Sequence, residues 1–426
     1  MTTTVPAVVP DRDPGAGPGP APAGAARRAS WTGLLRGAAR RYGPVLAVFG
    51  GLKLTGFAVF MWLLDASGDF RTRHPRFGGG AHAWDVLATW DGWWYQQIAA
   101  HGYHPALEPV PGATGLITLQ GNSAAFFPLY PAAMRLVSEV TGLGLYGAGM
   151  LVSVVASFAA ALGIHAVTAR LVDRRAGLAA AGLWAVWPGS GVEWAVYSDS
   201  LYVALAAWAC HAMLTRRWLT AGLLTYMAGL NRPTAVALIA ALAVAALLAL
   251  YRGRDGLARP LTALLVAPLG LVGYLGWVGL ETGDWGGYFA LQRGAWAHTF
   301  DYGRHTVDVF ANVPVGHDDY LSAWPFADLI GVCVVLLAVV LLPLLLRRRP
   351  PAALVVYTVV TLVLVLGSQQ IFANVSRYLL PLFPLFVPLA AALRRLSLPL
   401  QLLLLGVAAV ASGSYAGYAL FELGVP

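Results

Sequence analysis

The residues best suited to chemistry lie in a few short stretches. TWDGWWYQQIAAHGY, residues 89–103, sets one carboxylate, Asp91, among three tryptophans and a tyrosine and closes on His-Gly-Tyr. A carboxylate at a boundary between water and apolar groups is suited to general-base work, drawing a proton from an attacking hydroxyl. Asp85, six residues earlier, is the second candidate. The stretch also reads as a short helix ending at Gly102, a residue type favoured just past a helix C-terminus, with Trp94, Tyr95 and Ile98 on one face. Asp is a favoured N-cap, so Asp91 could simply cap this helix. The two roles can coexist.

Two arginines form the second group, Arg232 in NRPT and Arg377 in NVSRYLLPLFP. A cation at membrane depth is costly and marks function by default, and guanidinium matches phosphate oxygens in a two-pronged fork. The alternative is a snorkelling side chain, or an ion pair with Asp199 or Glu281. Asp199 in YSDS either faces the same cavity or caps the helix that follows. HDD at 317–319 has ligand types for a metal but no partner at fixed spacing, so neither a metal nor another cofactor is expected. His101 and His104 flank the turn after residue 100 and could touch substrate. Lys53, the only lysine, falls near the middle of the first apolar run and either pairs with an acid or snorkels. Cys210 and Cys333 lie in apolar runs without metal or redox spacing. Phosphate-binding glycine loops, dinucleotide fingerprints and nucleophile elbows are all missing from the sequence.

These groups must be positioned by membrane helices. Of the 426 residues, 58% are hydrophobic and 11% charged, with mean hydropathy +0.65; a soluble domain of this size needs far more charge. Apolar runs fall near 44–64, 144–169, 176–195, 199–214, 217–231, 233–251, 260–280, 326–346, 351–367, 377–393 and 398–420, each read as a helix crossing a ~30 Å hydrocarbon core. The fold class expected is an all-α polytopic membrane protein of about eleven spans. The Pro-, Ala- and Gly-rich residues 1–43 read as a disordered tail, and 44–426 as one integral membrane domain with a long outer loop, 65–143, carrying short helices and a second at 281–325. A cleaved signal peptide is not expected, because the first apolar run is too long for one.

Arginine clusters set the orientation. Arg27, Arg28, Arg36, Arg40 and Arg41 precede the first run, which places the N-terminus in the cytoplasm. Alternation then brings Arg170, Arg174 and Arg175, Arg216 and Arg217, Arg252 to Arg259, Arg347 to Arg349, and Arg394 and Arg395 to the same side. The segment 124–141, AAFFPLYPAAMRLVSEVT, is read as re-entrant or interfacial, since a full crossing would invert every later cluster. Nearly all residues capable of chemistry then gather on the extracytoplasmic face of the cell membrane. The net charge of +8 comes from cytoplasmic loops and signals no nucleic acid.

TWDGWWYQQIAAHGY, AAFFPLYPAAMRL, WPGSGVEWAVYSDSLYVAL, NRPTAVAL and SRYLLPLFPLF follow one another in an order that resembles the bacterial relatives of GPI mannosyltransferase 2, the PIG-V family of the GT-C glycosyltransferases. The likeness covers residues 44 to 395. It implies an enzyme that moves a sugar, commonly mannose, from a polyprenyl-phosphate carrier to an acceptor hydroxyl at the non-cytoplasmic face, with inversion. It places the catalytic acid in the first outer loop, where Asp91 matches the family's Trp-Asp position. Asp199 stands where the family has an acid, and Arg232 and Arg377 match recurrent arginines. Trp90, Tyr95, Tyr103 and Tyr130 join these three as expected substrate-binding residues. A departure is the basic run Arg71, Arg73 and Arg76, which could mark a different acceptor: a glycolipid, a glycan or a protein. The principal rival is a transporter or flippase of lipid-linked substrate, which favours internal repeats and broken helices meeting at mid-membrane. No repeat is visible. A non-catalytic assembly factor would leave the buried arginines unexplained.

Overall fold

The computed structural model describes residues 1, 31–112, 116–253, 255–317 and 325–421. The chain divides into units of residues 1–43 and 44–426. Most of the expected tail, and Asp318 and Asp319 of the HDD triplet, lie outside the described residues. The first helix, α1, is Trp31–Ser67.

Beyond it, the larger unit is a bundle of helices. In chain order these are α2 (Asp91–His101), α3 (Leu129–Thr141), α4 (Leu145–Leu171), α5 (Arg174–Ala185), α6 (Asp199–Leu214), α7 (Trp218–Gly229) and α8 (Val236–Tyr251). Then follow α9 (Ala258–Val266), α10 (Leu269–Thr282), α11 (Gly287–Trp296), α12 (Arg304–Asn312), α13 (Pro325–Leu346), α14 (Ala352–Leu366), α15 (Val375–Tyr378), α16 (Phe386–Leu393) and α17 (Leu398–Ser414). Two antiparallel ribbons complete it, β1 (Pro109–Pro111) with β2 (Ile117–Leu119), and β3 (Thr299–Phe300) with β4 (Ser368–Gln369).

Six helices among the described residues are long and apolar enough to span a membrane: Tyr42–Ser67, Leu145–Leu171, Pro233–Tyr251, Ala258–Thr282, Phe326–Leu346 and Leu398–Gly417. A seventh is reached if Phe372–Tyr378 and Phe383–Leu393, bent by 76°, count as one broken span. The chain is a multi-pass helical membrane protein, but by this measure eleven spans are not reached. The shortfall is one of helix length: four of the expected spans hold helices of only 12 to 16 residues, one of them broken at Pro188, and 377–393 falls in the bent pair. Expected span 176–195 is the 12-residue α5 followed, past Pro188, by the 3-10 turn Pro188–Trp194. Expected spans 199–214, 217–231 and 351–367 are the helices α6, α7 and α14, of 16, 12 and 15 residues. Proline removes a donor and clashes with the preceding turn; hydropathy does not register the break.

Segment 124–141 forms the 13-residue α3, which at 1.5 Å per residue reaches about 20 Å, short of a ~30 Å core. It buries Tyr130, Pro131 and Met134 and leaves Leu136 and Val140 exposed, as suits a helix at an interface. The core rests on small residues: Ala160 and Ala161 of α4, Ala179 and Ala180 of α5 and Ala206 and Ala207 of α6 are buried, letting these helices approach closely. Large apolar residues left exposed on α13 and α17, such as Val339, Val340, Leu403 and Val407, are the faces that lipid would cover.

Helix direction sorts the polar loops. α6 runs from Asp199 towards Arg216, α7 returns to Arg232, and α8 departs again towards Arg252. At the end remote from Asp199, Arg216 lies 3.9 Å from Asp255, and Arg394 pairs with Asp173. The arginine clusters and the chemically capable residues therefore occupy opposite ends of the same helices.

Candidate active site

Asp91 is the first residue of α2 and Asp199 the first of α6. Neither side chain makes a capping hydrogen bond; the N-cap positions belong to Trp90 and Ser198. The capping alternative is thus not what the structure shows. Both carboxylates instead sit where the aligned peptide dipoles of a helix favour negative charge, and both point at Arg377.

Arg377 donates through Nη2 to Asp91 Oδ2 at 2.5 Å and to Asp199 Oδ2 at 3.0 Å, while its Nε lies 3.2 Å from both Asp199 oxygens. Arg232 pairs with Asp199 from the other side through Nη2. The four residues form an alternating chain, Asp91–Arg377–Asp199–Arg232, with formal charges that cancel. Its interior is dry: Asp199 and Arg377 are 2% and 3% exposed, while Arg232 is 16% and Asp91 28% exposed. A buried charge survives only when paired and hydrogen-bonded, so the middle members hold each other and the two ends open outward. The ion pair with Asp199 is therefore realised, for both arginines.

Neighbouring residues fix this chain. Arg232 Nε donates to Ser198 Oγ at 3.1 Å, Ser198 Oγ lies 2.8 Å from the Tyr95 hydroxyl, and Asn231 Nδ2 donates to the Ser198 carbonyl. Burial pushes the Tyr95 hydroxyl up to about 12, so it stays protonated. The Arg377 guanidinium stands over the Tyr197 ring at 4.6 Å, a cation–π contact, and the Tyr197 hydroxyl donates to the Thr89 carbonyl. Val196 N–H donates to the Leu87 carbonyl, tying the approach to α2 onto the approach to α6. Gly92 fits here because a Cβ would lie 3.0 Å from the Val196 carbonyl oxygen. Gly189 is demanded more strictly: a Cβ would fall 2.5 Å from the backbone nitrogen of Arg377. Trp187 Nε1 donates to the Ser376 carbonyl at 2.7 Å, so the 3-10 turn Pro188–Trp194 clamps the segment that carries Arg377. Trp90 has φ +54°, a left-handed value that costs about 1–3 kcal/mol, and its buried indole N–H has no hydrogen-bond partner among the described residues.

Other expected residues are placed elsewhere. Asp85 Oδ2 accepts the His82 backbone N–H at 2.9 Å, in the capping box of the short helix Ala83–Ala88. The Tyr103 hydroxyl donates to the Phe126 carbonyl, and that of Tyr130 to the Gly149 carbonyl, with Ser153 Oγ at 2.7 Å. Both hold the outer helices together. His101 and His104 line an open cleft of about 390 Å³ beside α2.

Two residues were not singled out from sequence. Glu193, fully buried, meets Lys53 at 3.2 Å, and Lys53 Nζ also donates to the Ser190 carbonyl; this settles Lys53 as a paired cation. His298 packs edge-on against Tyr378, ring centres 6.3 Å apart. Burial, with Arg377 adding to it against the opposing pull of Asp91, depresses its imidazole to about 4. It is neutral at physiological pH.

The fold and this cluster define a polytopic helical membrane protein with a buried carboxylate–guanidinium chain at one end of its bundle. No family model matches the chain, and no curated protein matches it. Among solved structures, an archaeal oligosaccharyltransferase AglB from Archaeoglobus fulgidus, in complex with an inhibitory peptide and a dolichol-phosphate, matches 91% of this chain and 57% of its own, at 13% identity and TM-score 0.49. ArnT from Cupriavidus metallidurans bound to undecaprenyl phosphate matches 83% of this chain and 60% of its own, at 16% identity and TM-score 0.48. The chain spans well under two thirds of the length of either, and identities this low concern fold alone.

Proposed function

We propose that the protein is a GT-C-type glycosyltransferase of the PIG-V kind that moves a sugar, mannose by the motif resemblance, from a polyprenyl-phosphate donor to an acceptor hydroxyl. The observation that carries this reading is the order of the ion chain, with a carboxylate open at one end and a guanidinium at the other. A single displacement with inversion needs a base where the acceptor enters and a cation where the phosphate departs, on opposite sides of the anomeric carbon. Asp91 takes the proton of the attacking hydroxyl as the new C1–O bond forms. The C1–O bond to phosphate breaks, and the electron pair leaves on a phosphate oxygen that Arg232 neutralises. A phosphate leaving group is weakly basic and needs charge more than a proton, so the reaction calls on no resident metal or cofactor.

Arg377 and Asp199 are then positioning residues: Arg377 aims Asp91, and Asp199 separates the two cations. Asp85 is the reserve base. The site is assigned to the extracytoplasmic face of the cell membrane, with the N-terminus in the cytoplasm, because the arginine clusters lie at the other helix ends.

The test is incubation of purified protein in lipid vesicles with radiolabelled polyprenyl-phosphate mannose and a membrane extract as acceptor source. Formation of a labelled glycosidic product with release of polyprenyl phosphate supports the reading. Movement of intact donor across the vesicle without any product overturns it in favour of a flippase.

A further inference from the structure

The open cleft beside α2 is unlike the ion chain it adjoins. Its wall is Trp93 and Trp94, one turn beyond Asp91, and its rim carries Gln97, His104, Glu108 and Gln120. Trp93 and Trp94 are two and three residues past Asp91 on α2, about 3–5 Å along the axis at 1.5 Å per residue, so the cleft begins close to the residue that carries the exposed carboxylate. Its volume of about 390 Å³ suits a small organic ligand.

The tryptophans are held in place. The Arg76 guanidinium lies 4.9 and 4.8 Å from the Trp93 and Trp94 rings, and Trp94 stacks on Phe126 at 5.6 Å. By contrast, the side chains of Gln97, His104, Glu108 and Gln120 have no hydrogen-bond or ion-pair partner among the described residues. None of the described residues lining the cleft is an arginine or lysine, and the Arg76 guanidinium is engaged with the Trp93 and Trp94 rings. Amides that both donate and accept, an imidazole and one carboxylate match a ligand bearing many hydroxyls. Trp94 is covered by Arg76 and Phe126, whereas Trp93 has an edge-on neighbour and no stacked ring among the described residues, leaving indole surface that matches the C–H face of a sugar ring.

The neighbouring ribbon argues against a peptide. An extended peptide adds to a sheet edge through main-chain hydrogen bonds, but β1 is Pro109-Val110-Pro111 and has lost two of its three N–H donors. The far side of β2 is taken, since Thr118 Oγ1 donates to the Gly294 carbonyl of α11.

We propose that this cleft is the acceptor subsite and that it takes an uncharged carbohydrate chain, presenting one hydroxyl to Asp91; this rests on the glycosyltransferase reading. The test uses the full-length protein in detergent, with mannotriose and maltotriose as glycan probes and a serine/threonine-rich hexapeptide as the contrast. Intrinsic tryptophan fluorescence should respond saturably to at least one trisaccharide and not to the hexapeptide. The double variant Gln97→Ala with Glu108→Ala should weaken that binding about tenfold, the value of one to two lost hydrogen bonds. A response to the hexapeptide alone overturns the proposal, as does silence towards both trisaccharides or unchanged affinity in the double variant. Failure of the enzymatic reading looks different: no sugar leaves the lipid donor with any acceptor, while the fluorescence response, which needs no turnover, persists.

Discussion

Arg377 donates to Asp91 and Asp199 at once, although these acids lie 286 and 178 residues away in the chain. One guanidinium thus joins the start of α2 to the start of α6. Because it has two carboxylate partners, losing either one has a different consequence.

Asp91→Asn removes the proposed base and leaves Arg377 its pairing with Asp199. Transfer of labelled sugar should fall by about 10²- to 10⁴-fold, the usual worth of a positioned acid–base group, while the thermal unfolding midpoint in detergent moves little. Asp199→Asn should reverse the pattern. Asp199 is buried between two arginines, and its loss leaves Arg232 without a carboxylate and Arg377 with Asp91 alone, at a cost of about 3–5 kcal/mol. Equal loss of stability in both variants would return Asp91 to a structural role.

Arg232 and Arg377 should also separate kinetically. Arg232 is the more exposed cation and has its Nη1 donors to offer a phosphate beyond the contacts of Nε and Nη2. Arg232→Ala should raise the donor KM about tenfold or more, since a hydrogen bond to a charged group contributes about 1.5–3 kcal/mol. Arg377→Ala should chiefly lower kcat and the unfolding midpoint, because it releases Asp91 and strips Asp199 of a partner. An unchanged donor KM in Arg232→Ala removes the phosphate site from this end of the chain.

Much of the site is legible in sequence because charge stands out against apolar neighbours. Asp91, Asp199, Arg232 and Arg377 were each marked by that contrast, and the structure brings all four together. Which partner each takes was open, since pairing depends on helix packing across 286 residues. The capping expectation for Asp91 failed by one position: the residue is helical, and the N-cap is Trp90 at a left-handed φ that an aromatic residue rarely adopts. Hydropathy averages over the break at Pro188, and it does not register that the apolar runs 199–214, 217–231 and 351–367 hold helices of only 16, 12 and 15 residues. Glu193 is a single acid in WPGSGVEW with no local mark, and Lys53, 140 positions earlier, leaves pairing and snorkelling equally open in the sequence. His298 has no local signal at all; only the packing of its loop over Arg377 and Asp91 gives it meaning.

The Lys53–Glu193 pair ties α1 to the 3-10 turn that clamps Arg377. With exposures of 6% and 0%, it is a buried ion pair, for which breaking one side costs more than removing both. Lys53→Met should destabilise the protein by about 3–5 kcal/mol and lower kcat through misplacement of Arg377. Adding Glu193→Leu to Lys53→Met should recover most of the unfolding midpoint. Strictly additive losses in the two single variants and the double would show that the pair is not coupled.

His298 gives the site a pH signature. Its imidazole titrates near 4 in the folded protein, against an ordinary value near 6.5. Between those values the unfolded chain binds a proton that the folded one refuses, so stability rises with pH across the window from about 4 to 6.5 and is flat above it with respect to this group. His298→Gln keeps a neutral polar side chain and should flatten that slope while leaving the unfolding midpoint near pH 7.5 within a few degrees. The measurement is the midpoint in detergent at half-unit steps from pH 4 to 7.5, wild type against variant. Parallel curves would place His298 in water, away from the Arg377 cluster. A flattened curve, with transfer activity in the variant extending no further into acid than in the wild type, would assign the acid limit of catalysis to the carboxylates themselves.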